Sequence, residues 1–275
     1  IACVQGDATL RKWARVLDAA ARNRADLVLL PEMMHGHAIE PAQGPSGRLL
    51  SRKARQHRMY VAGGIYRWDA KQRRVYNTAL LFDRRGRLAG HYDKIHPYTP
   101  ELWTEGGVTP GHAAPVFHTD FGTVGIIVCY DSWFTDVVEL LALKGAEIIL
   151  FPNAGYHVSL MPARSADNGV RMVVSSLLCP PGIWDTAGRD VTRPRRDPTT
   201  WADCPPSATA RDLRRRKVGR IKMLIATLDL SQSPSPHNWG GPMLSAPGGR
   251  RNRREQTHLL HDEIRDENKR WWDVP

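Results

Sequence analysis

The sequence predicts an α/β fold. Three observations carry the prediction: a strand, amphipathic helix and strand at the start, a second run of the same pattern around Cys129, and a chain of 275 residues that is 41% hydrophobic. In the first unit, residues 2–4 (ACV) read as a strand, and Leu10, Trp13, Ala14, Leu17 and Ala20 recur at helical spacing on one face. Leu27 to Leu30 is then a buried strand that stops at Pro31. Two such strands joined by a helix run parallel, so Glu32 stands at the carboxyl end of a strand, where open α/β sheets place their ligands. In the second unit, Val124 to Val128 leads into Cys129. A helix from about Thr135 to Lys144 carries Val137, Leu140 and Leu141 on one face and stops at Gly145, and Ile148 to Phe151 is a buried strand closed by Pro152.

Between these units the pattern predicts a helix over Ser46 to His57 and strands over Tyr60 to Ile65 and Tyr76 to Phe82. A turn at Asp83-Arg84-Arg85-Gly86 precedes a further strand, Arg87 to Tyr92, leading to Lys94. Downstream, Pro162 to Val170 reads as helical, Arg171 to Ser176 as extended, and Ile183 to Arg189 as a strand and turn. Residues 190–219, rich in Arg, Pro, Asp and Thr without a clear period, read as an irregular surface excursion. Ile221 to Leu228 is a late strand, and the tail from Ser231 carries Pro, Gly and Trp before a terminal helix over His258 to Trp271. Nothing marks a linker, so residues 1–275 are expected to form a single domain.

Composition narrows the function classes. Cys3, Cys129, Cys179 and Cys204 are widely and irregularly spaced, with no CxxC pair and no histidine at metal-ligand distance, which argues for a reducing compartment and against a metal site. No apolar run approaches the roughly 18–20 residues that cross a bilayer, so no membrane partner is expected. The chain opens inside a strand without Met and shows no basic, apolar leader; trimming of a few residues and a cytoplasmic location are the expectation. The formal charge of +11 is concentrated in the last third, at Arg193, Arg195, Arg196, Arg214 to Lys217 and Arg250 to Arg254. Nucleic-acid binding is not expected from it, because no basic motif interleaved with aromatics and no helix-turn-helix pattern accompanies these arginines.

Cys129 ends an apolar strand and precedes a helix, a bend that presents its side chain outward and aims the next backbone N–H groups at whatever the sulfur attacks. A thiol reacts as thiolate, so it needs a base or a cation beside it. Composition leaves the partner open. His96, His112, His118 and His157 lie near the candidate segments, while Glu32 and Lys94 sit at strand ends and Glu101 follows Pro100. Singly, Glu32 reads better as an exposed strand-end carboxylate, Lys94 as a surface partner of Asp93, and Cys129 as a small core residue.

Together, the segments LLPEMM, YDKIHPYTPELW, GIIVCYDSWF and ALKGAEIILFPNAG resemble the nitrilase superfamily of carbon–nitrogen hydrolases, in this order and over nearly the whole chain to Asp229. The resemblance implies a four-layer α-β-β-α sandwich. It implies Cys129 as nucleophile, Glu32 as general base, Lys94 with the backbone N–H of Tyr130 as stabilisers of the oxyanion, and Glu101, seven residues after the lysine, as the group that orients Lys94. No metal or organic cofactor is implied. The substrate class is a small amide or N-carbamoyl compound, with Trp103, Trp133 and Tyr156 as candidate walls that read equally well as core or interface residues. The family also implies a homodimer or higher oligomer, with 231–275 as an arm across the partner.

Several positions depart from the family pattern. Phe134-Thr135-Asp136 stands where Phe-Pro-Glu is usual, with Thr135 as an N-cap, and Asp167-Asn168 replaces a Glu-Asn pair. The stretch from Ser176 to Gly182 is short, and Ser132-Trp133 stands where carbamoylases of amino acids carry an arginine. Tyr130-Asp131 is closer to amidases than to true nitrilases. Acyl transfer or nitrile hydrolysis on the same scaffold are the alternatives, and a non-catalytic basic binding protein is the rival from another class.

Overall fold

The computed structural model describes residues 1–103, 107–192 and 210–230. Along the chain these are β1 (Ala2–Gln5), α1 (Leu10–Arg22), β2 (Leu27–Leu29), β3 (Met34–His37), β4 (Ile39–Glu40), α2 (Pro45–His57), β5 (Tyr60–Asp69), β6 (Arg74–Phe82), β7 (Leu88–Asp93) and α3 (Thr99–Trp103). They continue with β8 (Val116–Thr119), β9 (Gly122–Ile126), a 3-10 turn (Cys129–Trp133), α4 (Asp136–Leu143), β10 (Ile148–Asn153), α5 (Leu160–Asn168), β11 (Arg171–Ser176), β12 (Gly182–Trp184), β13 (Ala210–Val218) and β14 (Ile221–Leu228). Ile1–Ser231 is one compact unit. The expected arm and terminal helix, and Cys204, lie outside the described residues.

The strands form two sheets that meet at one seam. One runs β7-β6-β5-β2-β1-β14-β13 and the other β8-β9-β10-β11-β12, because β1 pairs along its length with β2 and β14 but reaches β11 only through Gln5 and Ser176. β1, β2 and β5 are parallel, as are β9, β10 and β11, so in both sheets the carboxyl ends of these strands gather on one side. Sequence alternation decides the layering. In the first sheet Ala2, Val4, Val28 and Leu30 point outward and bury against Trp13, Val16 and Leu17 of α1 and Leu49 and Leu50 of α2. The alternate residues Cys3, Leu27 and Leu29 are equally buried on the opposite face, where β2 packs on β10 and β11. On the far side α4 lies on β9 and α5 on β11. The result is helices, sheet, sheet, helices, the α-β-β-α sandwich.

Where the structure departs from the sequence reading, local polarity is the reason. Part of the Arg-rich stretch expected to be irregular is β13, which pairs antiparallel with β14 and carries a bulge between Arg211 and Arg214. Its run of cations belongs to an edge strand, where a charged row deters further strand pairing. The short β3, β4 and β8 have no alternating apolar signal, and β5 continues past Ile65 to Asp69. In α4, Val137, Val138 and Leu141 are buried while Leu140 faces outward, and Thr135 occupies the N-cap position without a side-chain capping bond. No helix among the described residues is long and apolar enough to cross a membrane.

Candidate active site

Glu32 is held by the close approach of two strands. After β2 the backbone stays gripped by β5, with Leu30 N–H donating to Ala62 O (2.8 Å) and Gly64 N–H to Pro31 O (3.0 Å). Gly64 has no room for a side chain: a Cβ there would stand 2.7 Å from Glu32 Cα. Met33 follows with φ 47, in the left-handed region that turns the chain away and leaves the Glu32 carboxylate pointing along the strand end. That carboxylate is 2% exposed. Its Oε1 accepts from Asn77 Nδ2 (2.6 Å) and Lys94 Nζ (3.2 Å), and its Oε2 from the backbone N–H of Ala154 (2.7 Å), just beyond β10 on the other sheet.

Lys94 extends β7, with its N–H on Asn77 O at 2.8 Å. The ammonium is 1% exposed and donates to Glu101 Oε2 (2.7 Å) as well as Glu32. Burial alone would favour the neutral amine, but Glu32, Cys129 and Glu101 outweigh it and hold the ammonium well above its usual range. Glu101, on α3, accepts from Lys94, from Asn77 Nδ2 (2.6 Å) and from the Tyr98 N–H (2.7 Å). Burial opposes its ionisation, yet Lys94 and these donors hold it below the usual carboxylate range. The Tyr66 hydroxyl, at 3.3 Å from Glu101 Oε1, is pushed up by burial and by the same two carboxylates.

Cys129 opens the 3-10 turn with φ 44, a strained conformation for a residue with a side chain. Asp131, fully buried, clamps the bend. Its Oδ2 accepts from Val128 N–H (2.9 Å) and Tyr92 Oη (2.8 Å), and its Oδ1 from the His96 N–H (2.9 Å) with the His96 ring Nδ1 at 3.1 Å. Tyr92 and His96 flank Lys94 on the first sheet, so one carboxylate ties the cysteine bend to the lysine. On the other side, Arg164 donates to Ser132 O (3.1 Å) and Trp133 O (3.3 Å), closing the turn from α5. Cys129 Sγ lies 3.8 Å from Gly155 O. Burial and the neighbouring Glu32 push its thiol up to about 12, against the opposing pull of Lys94.

Glu32, Lys94, Glu101 and Cys129 line one cavity of about 290 Å³, with Met33, Ile39, Tyr66, Val75, Tyr98 and Val108 as its wall. Two of the expected aromatic walls, Trp133 and Tyr156, stand elsewhere. Trp133 is 49% exposed outside the cavity, and Tyr156 is buried against Phe151 and Trp184 with its hydroxyl donating to Pro180 O (2.8 Å). The Tyr130 ring packs against Tyr98, Trp133 and Phe134, leaving its backbone N–H as the atom adjacent to the cysteine. The Trp103 side chain lies outside the described residues. Asn168 is used locally, donating to Arg164 O (3.0 Å). Tyr66 and Tyr98 are the aromatic lining residues instead. Asn77 and Ala154 are further polar participants that the sequence reading passed over. One signal was present for Asn77, an amide inside the apolar strand YNTALLF that must find buried partners. No group of three His, Cys, Asp or Glu among the described residues is placed to hold a metal ion.

An α-β-β-α sandwich that gathers a cysteine at a strained bend, a lysine and two glutamates in one buried cavity defines a class, and the comparisons agree with it. The carbon–nitrogen hydrolase family model matches residues 3–178, and the chain belongs to that family. A hydrolase of Schizosaccharomyces pombe is 29% identical over 180 residues, 56% of this chain and 54% of its own length, so the chain spans about half of that relative. An omega-amidase of Xenopus laevis is 28% identical over 188 residues, 61% of this chain and 68% of its own. Among solved structures, Nit3 of Saccharomyces cerevisiae, a nitrilase-superfamily member, superposes with a TM-score of 0.60 at 24% identity, covering 69% of this chain and 84% of Nit3. An amidase from Nesterenkonia sp. AN1, solved with acrylamide added at its active-site cysteine, gives 0.59 at 24% identity over 69% and 86%. At these identities the structural likeness speaks to the fold.

Proposed function

We propose that the protein hydrolyses a small, uncharged carboxamide through a thioester on Cys129. Glu32 accepts the thiol proton as sulfur attacks the amide carbon; burial and the neighbouring carboxylate push the thiol up, which is why it needs a base within the cavity. The oxyanion is met by the Lys94 ammonium and the Tyr130 N–H. Glu32 returns its proton to the departing nitrogen, the C–N bond breaks, and ammonia or an amine leaves. Glu32 then takes a proton from water, whose oxygen attacks the thioester; the carboxylic acid departs and the thiol is restored. Glu101 keeps the lysine charged and aimed. The observation that carries this reading is the convergence of Glu32, Lys94, Glu101 and Cys129 in one buried cavity.

The substrate's charge is argued from the same lining. Two carboxylates face one ammonium there, and Lys94 is the one lysine or arginine among the described lining residues. A carboxylate on the substrate would meet net negative charge, whereas Met33, Ile39, Val75 and Val108 suit a short apolar chain. The test is ammonia release from butyramide, from the monoamide of glutaric acid and from an N-carbamoyl amino acid, with Cys129→Ala as control. The expected result is turnover of butyramide at least tenfold above the two anionic compounds, none by Cys129→Ala, and a butyryl adduct on the Cys129 peptide. An adduct on Cys3 or Cys179 instead, or turnover surviving in Cys129→Ala, would sink the mechanism. Preference for the glutaric monoamide would sink the charge assignment alone.

A further inference from the structure

Asn77 lies on β6 at 0% exposure, where its two amide hydrogens leave one nitrogen in two directions. Nδ2 is 2.6 Å from Glu32 Oε1 and 2.6 Å from Glu101 Oε1. An ionised carboxylate only accepts, so this amide has a single workable orientation, with nitrogen toward the two glutamates. The opposite end confirms the cost of holding it so: Oδ1 is buried and finds no hydrogen-bond partner among the described residues. The Asn77 backbone carbonyl meanwhile accepts the Lys94 N–H at 2.8 Å. One residue therefore touches the general base, the second glutamate and the lysine's strand, and closes a ring in which Asn77 Nδ2 and Lys94 Nζ each bridge the same two carboxylates.

We propose that Asn77 is a positioning residue for the reaction, one that fixes which oxygen of Glu32 handles the proton and keeps two like charges side by side without adding a second cation. With Asn77 and Lys94 both on Oε1, and only the Ala154 N–H on Oε2, the less occupied oxygen is the one left for the thiol and leaving-group proton. A lysine or arginine in place of Asn77 would bridge the carboxylates too, but its charge would weaken Glu32 as a base. A neutral side chain with two N–H groups on one atom bridges them and leaves the lysine as the charged partner. Removing both donors lets the carboxylates repel and leaves Lys94 as the one donor described between them, so Glu32 is held less firmly as the base.

This rests on the proposed reaction, and the test separates the two. Asn77→Ser, Asn77→Ala and Asn77→Asp are compared with the parent in butyramide hydrolysis across pH, in Cys129 alkylation by iodoacetamide followed by mass spectrometry, and in thermal melting. If donors matter, kcat follows donor number: Asn above Ser, and Ser above Ala, with a fall of about 100-fold for Ala and also for Asp, which adds a third acid beside the two glutamates, and KM within a few fold. The acidic limb of the kcat profile moves to higher pH in Asn77→Ala, and Cys129 alkylates at least tenfold more slowly at pH 7. If Asn77 only fills space, the near-isosteric Asp stands closest to Asn. A folded Asn77→Asp with parental kcat, acidic limb and alkylation rate overturns the proposal. Should the parent hydrolyse no amide, the reaction fails, and the alkylation series still decides whether Asn77 sets the state of the glutamate beside the thiol.

Discussion

His96 shows how one side chain can hold a bend by its charge. Its ring stands 3.1 Å from Asp131 and 3.3 Å from Asp136 and stacks on Phe134 at 3.9 Å between centroids. Burial works against the imidazolium, but the two carboxylates outweigh it and raise the group from 6.5 to about 9. A raised folded value means that the stabilisation is fully present below the unfolded value near 6.5 and is lost as pH climbs through about 9. Melting temperature should therefore fall between pH 7.5 and 10 by about 2–5 °C more in the parent than in His96→Asn; parallel curves would remove His96 from the bend. At this scale the sequence was legible at Glu32, Lys94, Glu101 and Cys129, because three separated segments had to agree. Asp131 stood in the same signature, yet its four partners come from Val128, Tyr92 and His96 and emerge only when two sheets meet.

Among the elements, the β2–β5 pair determines whether Glu32 is in place. Gly64 abuts Glu32 Cα, whereas a Cβ on the adjacent Gly63 would meet the flexible Met34 side chain at 2.9 Å and Leu30 Cβ at 3.2 Å, and none of the Glu32 backbone. Gly64→Ala should cost about 1–3 kcal/mol in melting or denaturant unfolding and reduce turnover beyond that by pushing the glutamate off line. Gly63→Ala should leave turnover nearer the parent, because thioether rotation relieves the closer contact and only a few tenths of an ångström are needed at Leu30. Equal losses of activity in the two variants would show that Glu32 does not depend on this contact. Helices and buried parallel strands were readable here because apolar spacing is strong in α1, α2, β2, β10 and β11. β13 was not, since a strand whose sequence is ARDLRRRKV advertises solvation, and its pairing is dictated by the neighbour, β14.

For the whole molecule the seam between the sheets is the decisive feature. Ser175, fully buried on β11, accepts the Val4 N–H (2.9 Å) and donates to Leu29 O (2.7 Å), stitching β1 and β2 to the second sheet beside the Gln5–Ser176 pair. Ser175→Ala removes both bonds and should destabilise the fold by about 1–3 kcal/mol, read from chemical unfolding; an unchanged midpoint would mean that these two bonds add nothing to the seam. The sandwich itself was readable only through family resemblance, because apolar alternation says that a strand is buried on both faces without saying whether helix or sheet covers each one. The seam also divides the chemistry. Glu32, Asn77, Lys94 and Glu101 belong to one half of the sandwich, and Cys129 and the Ala154 amide to the other. A chain that has assembled one half holds a base with nothing to activate, or a thiol with no base near it. Docking of the two sheets is therefore the step that completes the site, since only then do the thiol and its base share one cavity.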